Sequence, residues 1–486
     1  MASYTKKIAY NTAAQMIGKV IGTTVAIATV AVLFRYLGVD GVGKYTTVFA
    51  FVAFFAVFAD FGVQWTLVRE LTVNPDKDKV FKNIFTFRLL LALFIHTLAF
   101  AFVWFFAYPY DVKIGVGVIS LSWFFTTINS TLVGVFLNNY RLDISVTGEN
   151  LSRVVIFVCI WFLTRAEMPF AAVLFAYPIG GVFNYLFNRT MVGRFARVGL
   201  GFDFKYWGDI IRQSVPIGLV LVFGYIYFKI DSIMLSLMKG MTDVGIYGTA
   251  YKILEVLQTI PSMFLGSAFP LITKYATTGD DKVVPAFQKQ FDFLSLLAWP
   301  LVAGTFLLAE PIINFISGSR GAEFIGVSTV SFLGQTATSV TCLKLLIFVI
   351  GLNFFVTLYS YMIVSLGRQK VMIIPTILFA AINIAINFVL IPHFSYIGAA
   401  IATIITEIIV LIIYIKSTVR FITLPIKFKT FRKIIFCTLI MGLSVYFLAK
   451  IGVNLFVNIF AAMAVYALAI LLTKTISLDI LKVKAR

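Results

Sequence analysis

Apolar stretches long enough to cross a lipid bilayer follow one another along almost the whole of this 486-residue chain, and that succession leaves few folds open. A helix needs about 20 residues to cross the hydrocarbon core. Fourteen spans fit, at approximately 8–37, 42–64, 80–107, 113–138, 146–165, 168–190, 210–238, 243–273, 287–310, 340–366, 371–391, 395–416, 431–450 and 453–473. With 60% hydrophobic and 13% charged residues, the chain reads as an all-α polytopic membrane protein and not as a soluble domain.

Lysine and arginine set the orientation, because loops kept in the cytoplasm carry the basic excess. With the N-terminus inside, 29 basic residues fall in inner segments and 8 in outer ones, while Lys19, Lys229 and Lys252 lie within spans. The expectation is a multi-pass protein of the plasma (inner) membrane with both termini cytoplasmic. One stretch is ambiguous, since Ala322 to Leu366 could hold two helices. Two crossings there would move the basic cluster from Lys416 to Lys433 outside, so 324–339 is expected as an outer interfacial or re-entrant segment. The net charge of +19 is spread over the inner segments and reflects topology and anionic lipid, not nucleic acid.

Other classes find little support. Cys159, Cys342 and Cys437 are single, and His96 and His393 isolated, so neither a disulfide framework nor a metal site is expected. No G-x-x-x-x-G-K-[ST] pattern is present, and no cofactor is expected. The first span lacks a small-residue cleavage pattern and is expected to serve as its own insertion signal.

The chain also repeats itself. Gly38, Val42, Gly43 and Tyr45 match Gly240, Val244, Gly245 and Tyr247 at a constant offset of 202. Glycine permits a tight turn with positive φ, and tyrosine suits the membrane interface. Six crossings separate the copies, so both halves enter the membrane in the same direction. That pattern predicts two six-helix lobes related by a pseudo-two-fold axis along the membrane normal, plus two C-terminal helices. The boundaries read as 1–197 for the first lobe, 198–209 for a cytoplasmic linker, 210–420 for the second lobe and 421–486 for the last two helices and a tail.

Polar side chains inside the spans mark candidate function. Asn11, Gln15, Lys19 and Thr23 recur every four residues, a spacing that drifts only about 40° per step and keeps them on one helix face. A cation at that depth costs at least about 2.5 kcal/mol unless it meets water, an anion or a partner. Lys19 therefore suggests a wet path and an anionic cargo; the alternative is an ion pair with Asp60 or Glu407. Gly18 and Gly22 on the same helix read as a packing motif.

In the seventh span, Tyr225, Lys229, Ser232 and Ser236 share a face, while Asp231 points almost the opposite way, so Lys229 is expected toward the lumen and Asp231 inside the second lobe. In the eighth, Lys252 and Glu255 can pair directly, and Tyr251 could stack on a sugar. Arg88 and Arg153 lie where an anionic headgroup would enter, though Arg153 can pair with Glu149. Asp60, Asp231, Glu255 and Glu407 are intramembrane acids able to carry a coupling proton or sodium ion.

Asn11-Thr12, Phe34-Arg35-Tyr36-Leu37-Gly38, Gly43-Lys44-Tyr45, Asp60-Phe61-Gly62 and Val68-Arg69-Glu70 resemble the opening of polysaccharide-biosynthesis flippases of the multidrug/oligosaccharidyl-lipid/polysaccharide exporter superfamily. Ser214-Val215-Pro216, Lys229-Ile230-Asp231, Val244-Gly245-Ile246-Tyr247, Tyr251-Lys252 and Leu366-Gly367-Arg368-Gln369-Lys370 continue the likeness. The resemblance implies a non-enzymatic transporter in which two lobes alternate access to a cavity and turn a polyprenyl-(di)phosphate-linked oligosaccharide to the outer leaflet. It also implies membrane lipids as surroundings and a polysaccharide polymerase or glycosyltransferases as neighbours in the process. Fourteen crossings is similar to the lipid II flippases as well. A drug or cation exporter would want an acidic cavity, and a membrane glycosyltransferase or polymerase a large outer loop.

Overall fold

The computed structural model describes residues 2–278 and 280–475, with the side chains of 2–14 and 16 outside the description. Asn11 and Thr12 of the polar stripe and the resemblance, and the expected basic tail with Lys482, Lys484 and Arg486, therefore lie outside the described residues or side chains. The chain forms α1 (Ala2–Asp60), α2 (Val63–Val73), α3 (Lys77–Phe102), α4 (Tyr110–Asn138), α5 (Leu142–Arg165), α6 (Phe170–Leu174), α7 (Ala176–Val192) and α8 (Phe204–Met238). There follow α9 (Met241–Leu257), α10 (Thr259–Thr278), α11 (Val283–Leu307), α12 (Ala309–Ser317) and α13 (Gly321–Gly326). A hairpin of β1 (Ser331–Phe332) and β2 (Gln335–Thr336) comes next, then α14 (Ser339–Ser365), α15 (Ile373–Val419), α16 (Lys429–Lys450) and α17 (Leu455–Leu472).

Twelve helical segments among the described residues are long and apolar enough to cross a membrane. Two of them, Ile17–Val73 with 57 residues and Gln369–Val419 with 51, are each about twice the length one crossing needs. Each is broken by a non-helical residue, at Gly38 (φ 66°, ψ −177°) and at Ser395 (φ 46°, ψ −130°), so the described helices are long enough for fourteen crossings. The left-handed turn at Gly38 uses the freedom that only glycine has at low cost. Its repeat partner Gly240 does not need positive φ, because there the chain leaves the helix through an extended Lys239 (φ −134°, ψ 178°).

The segment expected at the outer interface holds one surprise. Instead of a plain re-entrant stretch, α13 is followed by the two-stranded hairpin, closed by Leu333 and Gly334, both at positive φ. Two consecutive left-handed residues make the two-residue turn whose twist suits a hairpin. Tyr396 anchors the strand exit by donating its hydroxyl to the Ala337 carbonyl at 2.7 Å. A single crossing, α14, then follows.

The chain divides into two compact units, one up to Gly245 and one from Ile246. Helix α8 packs within the first unit. Thr66 and Ser214 share a hydroxyl hydrogen bond of 2.8 Å, and the Phe61-Gly62 break lies against Ile217 and Gly218. The core of this unit gathers Leu67, Phe81, Ile84, Leu132, Phe136 and Ile210 from α2, α3, α4 and α8.

The linker that precedes α8 is tied to the end of α3 through its backbone. Arg197 N donates to Asp78, Gly201 N to Thr86 and Asp203 N to Asn83, at 3.1, 2.9 and 2.8 Å. Asp203 caps α8 by accepting from Tyr206 N; that bond, then Lys79 beside it, holds the Asp203 carboxyl below the usual carboxylate range.

The repeated glycines meet. A Cβ on Gly43 would run into the Met241 carbonyl oxygen, and a Cβ on Gly245 into the Val39 carbonyl oxygen. Residues 39 and 43 correspond to 241 and 245 at the offset of 202, so the contact is reciprocal, as a local two-fold axis requires. Backbone approaches backbone here because neither glycine carries a side chain. Gly43→Val is expected to lower thermal stability by the equivalent of about 1–3 kcal/mol through overpacking. Gly224→Ala, in open space on α8, should leave it unchanged or raise it. Fluorescence-detected thermal unfolding in detergent compares the two.

Candidate functional site

The first unit presents one face with exposed cationic character. Gly18 and Gly22 let α1 lie directly against α5, since a Cβ at Gly18 would strike Val146 and one at Gly22 would come to 2.5 Å from Asn150 Oδ1 and 3.2 Å from Arg153 Nη1. Lys19 lies between these contact glycines, exposed and with no hydrogen bond or ion pair among the described residues. Gln15 and Thr23, one turn away on either side, are half-buried. Asp60, one of the two carboxylates weighed as a partner of Lys19, pairs with Arg88. Arg153 donates to Glu149 at 2.5 Å, and both stay partly exposed, at 35% and 52%. Gly22 thus brings Arg153 of α5 against the stretch of α1 that carries Gln15 and Lys19, with Glu149 as the counter-charge of Arg153.

Arg88 belongs elsewhere. The sequence places it at an entrance for an anionic headgroup, but its side chain is fully enclosed, donating to Asp60 Oδ1 at 2.5 Å and Ser130 Oγ at 2.7 Å. A guanidinium moved into the bundle is tolerable only with a carboxylate at hand, and Asp60, at the last turn of α1, supplies it. The same pair accounts for Asp60, whose side chain keeps 31% exposure. Farther along the bundle, Asn188 donates to both Asn129 and Asn184 at 2.9 Å.

On α8, Asp231 is 2% exposed and accepts from the Ser232 amide at 2.8 Å, whereas Lys229 is half-buried with its ammonium 5.3 Å from the Phe228 ring centre. Tyr225 is half-buried on the same helix. On α9, Lys252 and Glu255 pair at 2.7 Å. Tyr251 stacks on Tyr247 with ring centres 5.3 Å apart, and at 3% and 0% exposure neither offers an open face to a sugar.

In the second unit Glu407 is 2% exposed and accepts from Asn353 Nδ2 at 3.0 Å. Beside it, Asn387 donates to Asn383 at 2.9 Å and Asn383 to Thr406 at 3.3 Å. These asparagines carry no charge and do not stand out as single residues in the sequence. Their i,i+4 spacing, 383 with 387 and 184 with 188, is the signal that points to paired amides inside a bundle.

The family model for polysaccharide biosynthesis proteins matches residues 5–276, more than half of the chain, and the chain belongs to that family. Among curated relatives, the probable low-salt glycan biosynthesis flippase Agl15 of Haloferax volcanii is 22% identical over 52% of this chain and 52% of its own length. The probable flippase AglR of the same organism is 22% identical over 60% of this chain and 61% of its own. An uncharacterised membrane protein of Methanocaldococcus jannaschii is 25% identical over 50% and 56%. The chain thus spans between half and about three-fifths of the curated relatives it matches. Among solved structures, the lipid II flippase MurJ in an inward closed conformation has a TM-score of 0.75 at 15% identity, covering 95% of this chain and 97% of its own. An inward-facing multidrug resistance MATE transporter of the MOP superfamily has a TM-score of 0.64 at 14% identity, over 82% and 95%. At these identities the likeness is one of fold.

Removing the carboxylate from the buried pair is the clean test of this arrangement. Asp60→Leu should destabilise the protein by up to about 3 kcal/mol, because it leaves the Arg88 charge buried and unmatched. The double variant Asp60→Leu/Arg88→Met should recover part of the loss in thermal unfolding.

Proposed function

We propose that this flippase-type transporter moves a polyprenyl-(di)phosphate-linked oligosaccharide from the inner to the outer leaflet for cell-surface glycan synthesis. The observation that carries this reading is Lys19: an exposed cation in the membrane-spanning part of α1 with no hydrogen bond or ion pair among the described residues, one turn from Gln15 and three residues before Gly22, against which Arg153 of α5 lies. An ammonium so placed has the chemistry to meet a phosphate or diphosphate. The names of the two Haloferax volcanii relatives support the same direction.

Sugar hydroxyls crossing hydrocarbon unaided would each lose hydrogen bonds to water, at a cost of several kcal/mol apiece. A polar path between helices removes most of that barrier while the polyprenyl tail stays in lipid. With the interior negative, outward movement of an anion is downhill by about 2.3 kcal/mol per charge per 100 mV. Lys229, Lys252 and Tyr225 are further candidate contacts to the cargo. Asp60, Asp231, Glu255 and Glu407 are the candidate carriers of a coupling proton or sodium ion; Asp231 and Glu407 are each 2% exposed, and Asp60 and Glu255 pair with Arg88 and Lys252. The setting is the plasma membrane with both termini cytoplasmic, downstream of glycosyltransferases that build the lipid-linked sugar.

Transfer of a fluorescent polyprenyl-diphosphate oligosaccharide between leaflets of proteoliposomes tests the reading. Lys19→Ala should reduce the rate at least about tenfold, as expected when an interaction of about 1.4 kcal/mol or more is lost, with Lys19→Arg retaining most of it. Wild-type rates in Lys19→Ala would remove Lys19 from the path, and efflux of an organic cation with no lipid transfer would favour a drug exporter.

A further inference from the structure

The second unit contains a groove that the transport reading does not use. It is a cavity of about 540 Å³ between α11, α14, the later half of α15, and α16, walled by Phe291, Trp299, Phe355 and Ile408 among others. Its aromatic side is a connected cluster in which the rings of Phe291, Phe428 and Phe431 contact one another and Trp299 contacts Phe431. A volume of this size suits a molecule with a substantial hydrocarbon part.

At one end the groove changes character. Ile415, Ile426, Phe428 and Phe431 line it, and their chain neighbours Lys416, Lys427, Lys429 and Arg432 are all exposed. Apolar residues that line the groove thus alternate along the chain with exposed cations around one mouth. The arrangement is held by the backbone: Gln288 on α11 accepts from Lys427 N at 2.8 Å and donates to Lys427 O at 3.1 Å, which fixes the strand-like run just before α16. Gln288 also donates to Asp292, the one carboxylate at this rim among the described residues. Lys433 is excluded from the set, because its ammonium caps the end of α17 at the Thr473 carbonyl, 2.8 Å away.

We propose that this groove is a resident site for an acidic glycerophospholipid, acyl chain in the aromatic trough and anionic headgroup among Lys416, Lys427, Lys429 and Arg432. The charge selects the lipid. A zwitterionic headgroup gains little from four cations facing one carboxylate, whereas each basic residue near a surface adds to the attraction for an anionic one. The site is independent of the α1–α5 face and of what the protein transports.

Native mass spectrometry of the full-length protein, delipidated and titrated with phosphatidylglycerol or phosphatidylcholine of equal chain length, tests it. The expected result is tighter retention of phosphatidylglycerol by about tenfold or more, lost in Lys427→Glu/Lys429→Glu/Arg432→Glu. Lys274→Glu, an exposed cation elsewhere in the unit, should keep the preference. Ile408→Trp, which fills the trough without touching charge, should weaken binding of phosphatidylglycerol while leaving thermal unfolding near wild type. Equal retention of the two lipids, an unchanged preference in the triple variant, or binding of a polyprenyl phosphate with no binding of phosphatidylglycerol would each overturn the proposal.

Discussion

Hydrocarbon offers a polar group no partner, so a charge taken inside a bilayer has to be met by protein. Arg88 shows the consequence. Its guanidinium is completely enclosed, and the Asp60 carboxylate and Ser130 hydroxyl reach it from α1 and α4. Three helices far apart in sequence are thereby fixed around one charge. The left-handed Phe61-Gly62 break that follows Asp60 then lets α8 pass at Gly218. Where no charge is buried, the same restriction is met by amides bonded to amides, as at Asn188, or by side chains small enough for backbone to touch backbone, as at Gly43 and Gly245.

The crossings were legible because the apolar period of a membrane helix is its dominant signal, and loop charge orients it. Even the breaks in the two long helices were legible, one at Gly38 and the other between the spans 371–391 and 395–416. The hairpin at 331–336 was not, because its strands are two residues each and its turn begins with a leucine at positive φ, which no local rule favours. The internal repeat was readable from four matched residues, yet its physical meaning, two glycines lying against each other's carbonyls, needed coordinates.

Candidate residues divide along the same line. Pairs at i,i+3 or i,i+4, such as Lys252 with Glu255 and Arg153 with Glu149, follow from helix geometry and are present. Arg88 with Asp60, 28 residues apart, does not follow from any spacing, so the residue looked available for a headgroup when it is committed to the bundle. Tyr251 was similarly obscured: an aromatic at a cavity-facing period looks the same whether its ring is open or stacked on Tyr247. Lys19 differs from both. Its glycine neighbours bring α5 close, and no carboxylate among the described residues is supplied to it.

Lys19, a cation in a membrane-spanning helix with no ion pair among the described residues, is thus the centre of the transport reading for this member of the polysaccharide biosynthesis protein family. The most direct measurement is the rate of lipid-linked oligosaccharide transfer by the wild-type protein in proteoliposomes under imposed potentials of either sign. A rate that rises when the potential drives anions toward the receiving leaflet, and falls when the sign is reversed, is the predicted result. Transfer indifferent to the potential, or transfer of cations in its place, would contradict it.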